Sequence, residues 1–116
     1  MIDFDYKTTD KGTMIIRVRG ILDEESNEYF FDCVKEEIAN GHQRIVINCM
    51  GLGHITSVGL GAMVRARARA AKAGGTIFLA RVDAKVMQVF QLVKFDRLFD
   101  IFATEHEAVE SIEKGI

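Results

Sequence analysis

The fold is decided by residues 44–80, which read RIVINCMGLGHITSVGLGAMVRARARAAKAGGTIFLA. Arg44–Cys49 is a mostly apolar run of strand length, which favours a central strand covered on both faces. The irregular, glycine-rich stretch 51–61 follows, and it leads into an Ala-rich helix that the sequence predicts over Ser57–Ala73. Thr76–Ala80 is then a second strand. The order strand, helix, strand predicts parallel strands joined by a right-handed crossover.

The segments before this unit predict a hairpin and a first helix. Residues 2–8 and 13–19 are short, alternating and rich in β-branched residues, and the turn residues Asp10-Lys11-Gly12 lie between them. Asp23 is predicted to be the N-cap of the helix, with two glutamates in its first turn, and Asn40-Gly41 ends it. The hairpin therefore supplies an antiparallel edge.

The segments after this unit predict a helix, a short strand and a last helix. The first of these helices begins near Asp83, the fifth strand spans residues 99–102, and residues 104–107 (Thr-Glu-His-Glu) are a capping box for the last helix. We therefore predict an α/β fold, as a single domain over residues 1–116. It has a mostly parallel, mixed sheet of about five strands, an N-terminal hairpin at the sheet edge and about four helices.

The length and charge of the chain exclude several classes of function. Its 116 residues leave no room for a second domain, and a net charge of -2 does not attract nucleic acid or an anionic membrane. Residues 1–7 lack the basic start of a signal peptide, and no apolar run approaches the roughly 18 residues that span a bilayer. We therefore expect a cytoplasmic protein without membrane insertion, in which Cys33 and Cys49 are a reduced, buried pair.

The best candidate for a functional site is the stretch 51–61, because it follows an interior strand and opens a helix. The first turn of that helix has free N–H groups and a partial positive charge, which would favour a phosphate near Ser57. Alternatively, Thr56 or Ser57 serves only as the N-cap of the helix. The residues by themselves leave both interpretations open.

Catalytic and ligand-binding motifs find little support. The glycines at 51, 53, 59 and 61 do not form a dinucleotide fingerprint, and no Lys follows at phosphate-loop spacing. The histidines are scattered, and His54 is interpreted as a loop residue that contacts a partner. No nucleophile-elbow motif surrounds Ser57. We therefore predict no catalytic residue, no cofactor and no metal site.

The Ala-rich helix carries a row of basic residues. Arg65, Arg69 and Lys72 share one face by their spacing, which is typical of a solvated face, the alternative being a stripe that binds a partner. Arg67 lies on the side of the apolar residues, so it either extends to the rim or pairs with a carboxylate.

The chain resembles the STAS domain family and, within it, the bacterial anti-sigma factor antagonists. The motifs that carry this resemblance are Gly20-x-Leu22-Asp23, Ile45-Val46-Ile47-Asn48, Ser57-x-Gly59-Leu60-Gly61 and Leu98-Phe99-x-Ile101. The resemblance implies that an anti-sigma factor with serine kinase activity phosphorylates Ser57, and that a phosphatase reverses this. The unphosphorylated protein would bind the kinase and release the sigma factor.

Two positions depart from the antagonist pattern. Thr56 and Val58 stand where the family usually has Asp and then Ser or Thr, which makes Thr56 a second candidate for phosphorylation. The expected partner-binding residues are Gly20, Asp23, His54, Thr56, Ser57, Val58, Gly59 and Arg65. We expect a monomer or a weak dimer.

Two other functions remain open at this point. The chain could be a STAS accessory subunit of an ABC lipid transporter or of a signalling scaffold, with no phosphorylation and a static surface around Ser57. The hypothesis that the chain is a small enzyme that uses the glycine-rich stretch has the least support, because no set of catalytic residues accompanies that stretch.

Overall fold

A computed structural model describes residues 1–116, and it confirms the predicted α/β fold. One five-stranded sheet has the order β1-β2-β3-β4-β5, with β1 antiparallel to β2 and all other neighbours parallel. The strands are β1 Ile2–Thr8, β2 Met14–Leu22, β3 Arg44–Ile55, β4 Thr76–Ala80 and β5 Ile101–Phe102. The helices are α1 Asn27–Ala39, α2 Ser57–Lys72, α3 Ala84–Leu92 and α4 Glu105–Ile112, and a 3-10 turn spans Phe95–Arg97.

The strand order explains where the helices lie. Parallel strands that follow one another across the sheet, each joined by a right-handed crossover, place α1, α2 and α3 on the same face. These helices bury Phe30, Met63 and Phe90 in the larger core. The opposite face has only α4, whose Ala108 and Ile112 cover a smaller core. Burial of each large side chain contributes roughly 1.5–3 kcal/mol.

Residues 51–55 of the glycine-rich stretch are strand, so the prediction that this part is irregular is wrong, whereas the helix begins at Ser57 as predicted. β3 continues to Ile55 because β2 also runs on to Leu22, and the two strands pair to their ends. A Cβ on Gly51 would lie 2.8 Å from the carbonyl oxygen of Val18. Glycine thus lets the two strands approach closely beside a register shift, and only Thr56 separates β3 from α2.

The first helix begins later than predicted, at Asn27, with Ser26 as its N-cap residue. The Asp23 carboxylate accepts hydrogen bonds from the N–H groups of Glu25 and Ser26, both at 3.1 Å. The Ser26 hydroxyl donates to the carbonyl oxygen of Ile21 at 2.7 Å. Asp23 therefore stabilises a turn rather than the helix, and both predicted first-turn glutamates, Glu24 and Glu25, lie in that turn.

Two smaller predictions also need correction. The fifth strand is limited to Ile101–Phe102, because Phe99 is buried beside the 3-10 turn with its ring 5.0 Å from that of Phe95. Cys49 is buried but Cys33 is only half-buried, and both are free thiols. The helix starts after Asp83 and Thr104 are confirmed. No helix has both the length and the apolar character needed to cross a membrane.

Candidate partner-binding site around Ser57

The start of α2 lies directly against the end of β2. The Thr56 N–H donates to the carbonyl oxygen of Leu22 at 3.0 Å. Gly59 is buried at the same contact, and a Cβ there would lie only 2.3 Å from that oxygen. Gly59 is therefore needed for close packing between the first turn of α2 and the backbone of β2. It shapes the site without offering a side chain to a partner.

The two neighbouring hydroxyl groups have different environments. The half-buried Thr56 accepts a hydrogen bond from the Gly59 N–H at 3.3 Å through its side chain, and it is the N-cap residue of α2. Ser57 is the exposed first residue of the helix, and its hydroxyl makes no hydrogen bond within the chain. The cap is thus assigned to Thr56, and the Ser57 hydroxyl is free to react or to bind.

An acidic turn lies at the same edge of the sheet as Ser57. Leu22 and Ile55 are partners in register, so the turn after β2 and the start of α2 follow adjacent strand ends. Partial desolvation acts to raise the pKa of the Asp23 carboxyl, but hydrogen bonds from Ser26 and Glu25 outweigh it and hold that pKa below its usual value. The site therefore carries negative charge close to the positive end of the α2 dipole.

Apolar side chains are exposed at the same edge. Ile21 and Val58 are 40% and 39% exposed. The exposed His54 lies in β3 as the cross-strand partner of Ile21, so its interpretation as a loop residue is wrong. Sequence reasoning missed Ile21, although an isoleucine beside the end of an interior strand was a usable signal. Together with Ser57, these residues present a mixed apolar and polar surface, which is the composition that protein partners bind.

Gly20 has a structural role at the other side of this edge. Its φ of +114° is in the region that favours glycine, and a Cβ there would lie 2.3 Å from the carbonyl oxygen of Met1. The neighbouring Ile21 N–H donates to that same oxygen at 2.9 Å. Gly20 thus holds the beginning of β1 against β2.

Arg65 is exposed on the solvated face predicted for it, and from there it links α2 to α1. Its guanidinium donates to Glu28 at 3.0 Å and to Asn27 at 3.2 Å, and it lies 4.5 Å from the centre of the Phe31 ring. Arg69 and Lys72 are exposed on the same helix as predicted.

Arg67 extends to the rim, which is one of the two positions predicted for it, and does not pair with a carboxylate. It is exposed at the rim of a shallow cleft that Leu98 and Asp100 also line, and it forms no ion pair with a carboxylate. Arg67 therefore lies away from the Ser57 edge, beside residues that follow the 3-10 turn.

Comparison with known proteins identifies the family. The STAS domain family matches residues 6–108. The chain belongs to the STAS domain family. A Thermotoga maritima protein assigned as an anti-sigma factor antagonist is 29% identical over 112 residues, which is 96% of this chain and 98% of the relative.

Solved structures agree with this assignment. The crystal structure of a Thermotoga maritima protein assigned as an anti-sigma factor antagonist has a TM-score of 0.88 and 28% identity, with 96% of this STAS domain and 95% of that chain covered. The anti-sigma factor antagonist SpoIIAA in its unphosphorylated form has a TM-score of 0.82 at 23% identity, covering 98% and 99%. The phosphorylated form of SpoIIAA from Bacillus has a TM-score of 0.73, covering 96% and 100%. This STAS domain has the fold of the anti-sigma factor antagonists.

Proposed function

We propose that this STAS domain is an anti-sigma factor antagonist whose binding is controlled by phosphorylation of Ser57. The unphosphorylated form binds an anti-sigma factor with serine kinase activity and frees the sigma factor in the cytoplasm. Phosphorylation ends this binding, and a phosphatase restores it. The domain is a binding protein and not an enzyme. The observation that carries the proposal is the exposed Ser57 hydroxyl, free of hydrogen bonds, at the start of α2.

Ser57 is the acceptor of the phosphoryl group in this proposal. The Ser57 oxygen attacks the γ-phosphorus of ATP held by the kinase, the bond to ADP breaks, and a base of the kinase takes the hydroxyl proton. Hydrolysis by the phosphatase returns the hydroxyl and inorganic phosphate. Thr56 is a poor acceptor because its oxygen already caps α2, an interaction worth about 1 kcal/mol.

A phosphate at Ser57 changes the surface more than the fold. It adds about 1.5 to 2 negative charges, which the N-terminus of α2 tolerates. The same charge lies beside the acidic turn that contains Asp23 and next to the exposed apolar side chains of Ile21 and Val58. A partner that packs on those side chains would have to desolvate the phosphate, so its affinity falls.

Two measurements test the proposal. Incubation with the cognate anti-sigma kinase and ATP should add one phosphate, which mass spectrometry detects. Ser57→Ala should remain unlabelled, whereas Thr56→Asn should still be labelled, since asparagine keeps the cap and removes the hydroxyl. If Ser57→Ala is labelled as strongly as the wild type, Ser57 is not the acceptor.

The binding half of the proposal has its own test. Ser57→Asp should bind the kinase more weakly than Ser57→Ala in isothermal titration calorimetry, because only the aspartate introduces charge at the contact. Equal affinities of the two variants would contradict the electrostatic account of release.

A further inference from the structure

β1 is the edge strand of the sheet, and it pairs on one side only. Two backbone hydrogen bonds show which residues of β1 bond to β2. The Ile21 N–H donates to the carbonyl oxygen of Met1, and the Thr9 N–H donates to that of Thr13, both at 2.9 Å. Both pairs belong to the register in which Asp5 faces Arg17. Because bonded and non-bonded pairs alternate in an antiparallel ladder, the odd-numbered residues of β1 bond to β2.

The even-numbered residues of β1 therefore point their backbone groups outward. These residues include Phe4, Tyr6 and Thr8. The Phe4 N–H shows this directly, since it donates to the side chain of Asp3 at 3.1 Å rather than to β2. An incoming strand can form a regular ladder only if its own outward residues lie opposite these three.

We propose that two copies of this chain associate through antiparallel pairing of their β1 strands. Outward-pointing residues of the two copies can face each other only when the twofold axis that relates the copies passes through a residue of β1. Each residue of the strand gives one such register. The charges then select among the registers. An axis at Phe4 places Asp3 opposite Asp5, an axis at Asp5 places two copies of Asp5 together, and an axis at Lys7 places two lysines together.

Among the registers centred on residues 3–7, only the one centred on Tyr6 is free of such repulsion near the axis. There, Asp5 of each copy lies opposite Lys7 of the other, and Phe4 lies opposite Thr8. The ladder then has three bonded pairs, each of which exchanges two backbone hydrogen bonds. Charges on an edge strand usually discourage pairing, and here they disfavour the registers centred on residues 3, 4, 5 and 7 while favouring the one centred on Tyr6.

The side chains on both faces of β1 fit this register. On one face Lys7 forms no ion pair within its own chain, whereas Asp5 and Asp3 pair with Arg19. On the other face Tyr6 and Tyr29 are 45% and 57% exposed beside Phe4, with ring centres 6.4 and 5.3 Å from its ring. The pairing would cover these aromatic rings and give Lys7 a partner.

The proposed interface does not use the Ser57 site. Ser57 follows the interior strand β3, whereas β1 is at the edge beyond β2. Each copy in a dimer therefore keeps its own partner-binding surface, and dimerisation does not depend on phosphorylation of Ser57.

Sedimentation equilibrium across a concentration series tests the dimer. The wild type should show a monomer–dimer equilibrium. Lys7→Asp replaces both attractive cross-strand pairs by repulsive ones, so the dimer dissociation constant should rise by about tenfold or more. The double variant Asp5→Lys, Lys7→Asp should recover association. Lys85→Glu reverses an exposed charge on α3 and should leave the dissociation constant unchanged.

Amide hydrogen exchange supplies a second, residue-specific test. The N–H groups of Tyr6 and Thr8 should become protected as concentration rises, while those of Asp5 and Lys7 are protected throughout by β2. A wild type that stays monomeric at all concentrations would overturn the proposal. So would a Lys7→Asp variant that associates like Lys85→Glu, a double variant that does not recover, or Tyr6 and Thr8 protection that is independent of concentration.

Discussion

Replacing Gly59 by alanine tests whether the Ser57 site depends on backbone contact between α2 and β2. In a free helix, alanine would be favoured over glycine by about 1 kcal/mol. In the folded protein, the new Cβ would lie 2.3 Å from the carbonyl oxygen of Leu22 and 2.9 Å from its carbon. Backbone cannot rotate away as a side chain does, so the start of α2 must shift.

The size of the effect follows from these distances. Relieving the contact to an ordinary van der Waals separation requires a displacement of about 1 Å, and overpacking of this kind costs about 1–3 kcal/mol. The displacement also weakens the hydrogen bond from Thr56 to Leu22, which contributes about 1 kcal/mol. Set against the gain in helix propensity, we expect Gly59→Ala to lower the free energy of unfolding by about 1–3 kcal/mol.

Gly61→Ala is the matched control. Gly61 is in the same helix, two residues further on, and a Cβ there would meet no atom within 4 Å. The control should therefore raise the free energy of unfolding by about 1 kcal/mol, opposite in sign to Gly59→Ala. Urea denaturation measures both variants against the wild type.

Equal effects of the two substitutions would refute this reasoning, and so would an unchanged or raised stability of Gly59→Ala. A second readout concerns the site itself. Because Ser57 moves with the first turn of α2, Gly59→Ala should also weaken the proposed binding to an anti-sigma kinase at temperatures where the variant is fully folded. Gly61→Ala should leave that binding unchanged.

Two further predictions concern the face covered by α4. Hydrogen bonds from Arg17 hold the pKa of Glu105 below its usual value. The ionised Glu105 therefore stabilises the folded protein above about pH 4.3, and this stabilisation is lost as pH falls through the lower pKa of the folded state. Urea midpoints should accordingly fall less on acidification in Glu105→Gln than in the wild type. Glu113 accepts a hydrogen bond from the hydroxyl of buried Thr13 at 2.6 Å, and removing it leaves that hydroxyl without a partner. Glu113→Ala should therefore lower the free energy of unfolding, measured by thermal denaturation, by about 1–3 kcal/mol. The control Glu110→Ala, at an exposed position, should lower it by less than about 0.5 kcal/mol.

Most element types could be predicted because their signals are local. The caps Asp83 and Thr104 bond to N–H groups three residues away, so each helix start depends on a segment a few residues long. The spacing of Ser57 before Gly59 is also local, and it indicated both the helix and the family. Thr56 and Ser57 were equal candidates for the N-cap in the sequence, and the hydrogen bond to Gly59 distinguishes them in the structure.

The same local signal misplaced the start of α1. Asp23 followed by two glutamates is a good helix start by composition, but the Ser26 hydroxyl bonds to Ile21 and the Asp23 carboxylate closes a turn. The Asp23 carboxylate accepts from Glu25 and Ser26, and Ser26 is the N-cap residue although its side chain makes no cap hydrogen bond, so composition does not show which of the two begins the helix. The strand that precedes them decides which one begins the helix.

The sequence by itself determined the order of strands and helices, the parallel crossovers and the position of Ser57 at the start of a helix. Only the tertiary structure showed that residues 51–55 are strand, that Gly59 packs on the backbone of Leu22, and that Arg65 joins two helices. The physical reason is the origin of the bonding partners. Caps and helical periodicity use groups within about four residues, whereas a strand end such as Ile55 is defined by pairing with Leu22, far away in the chain.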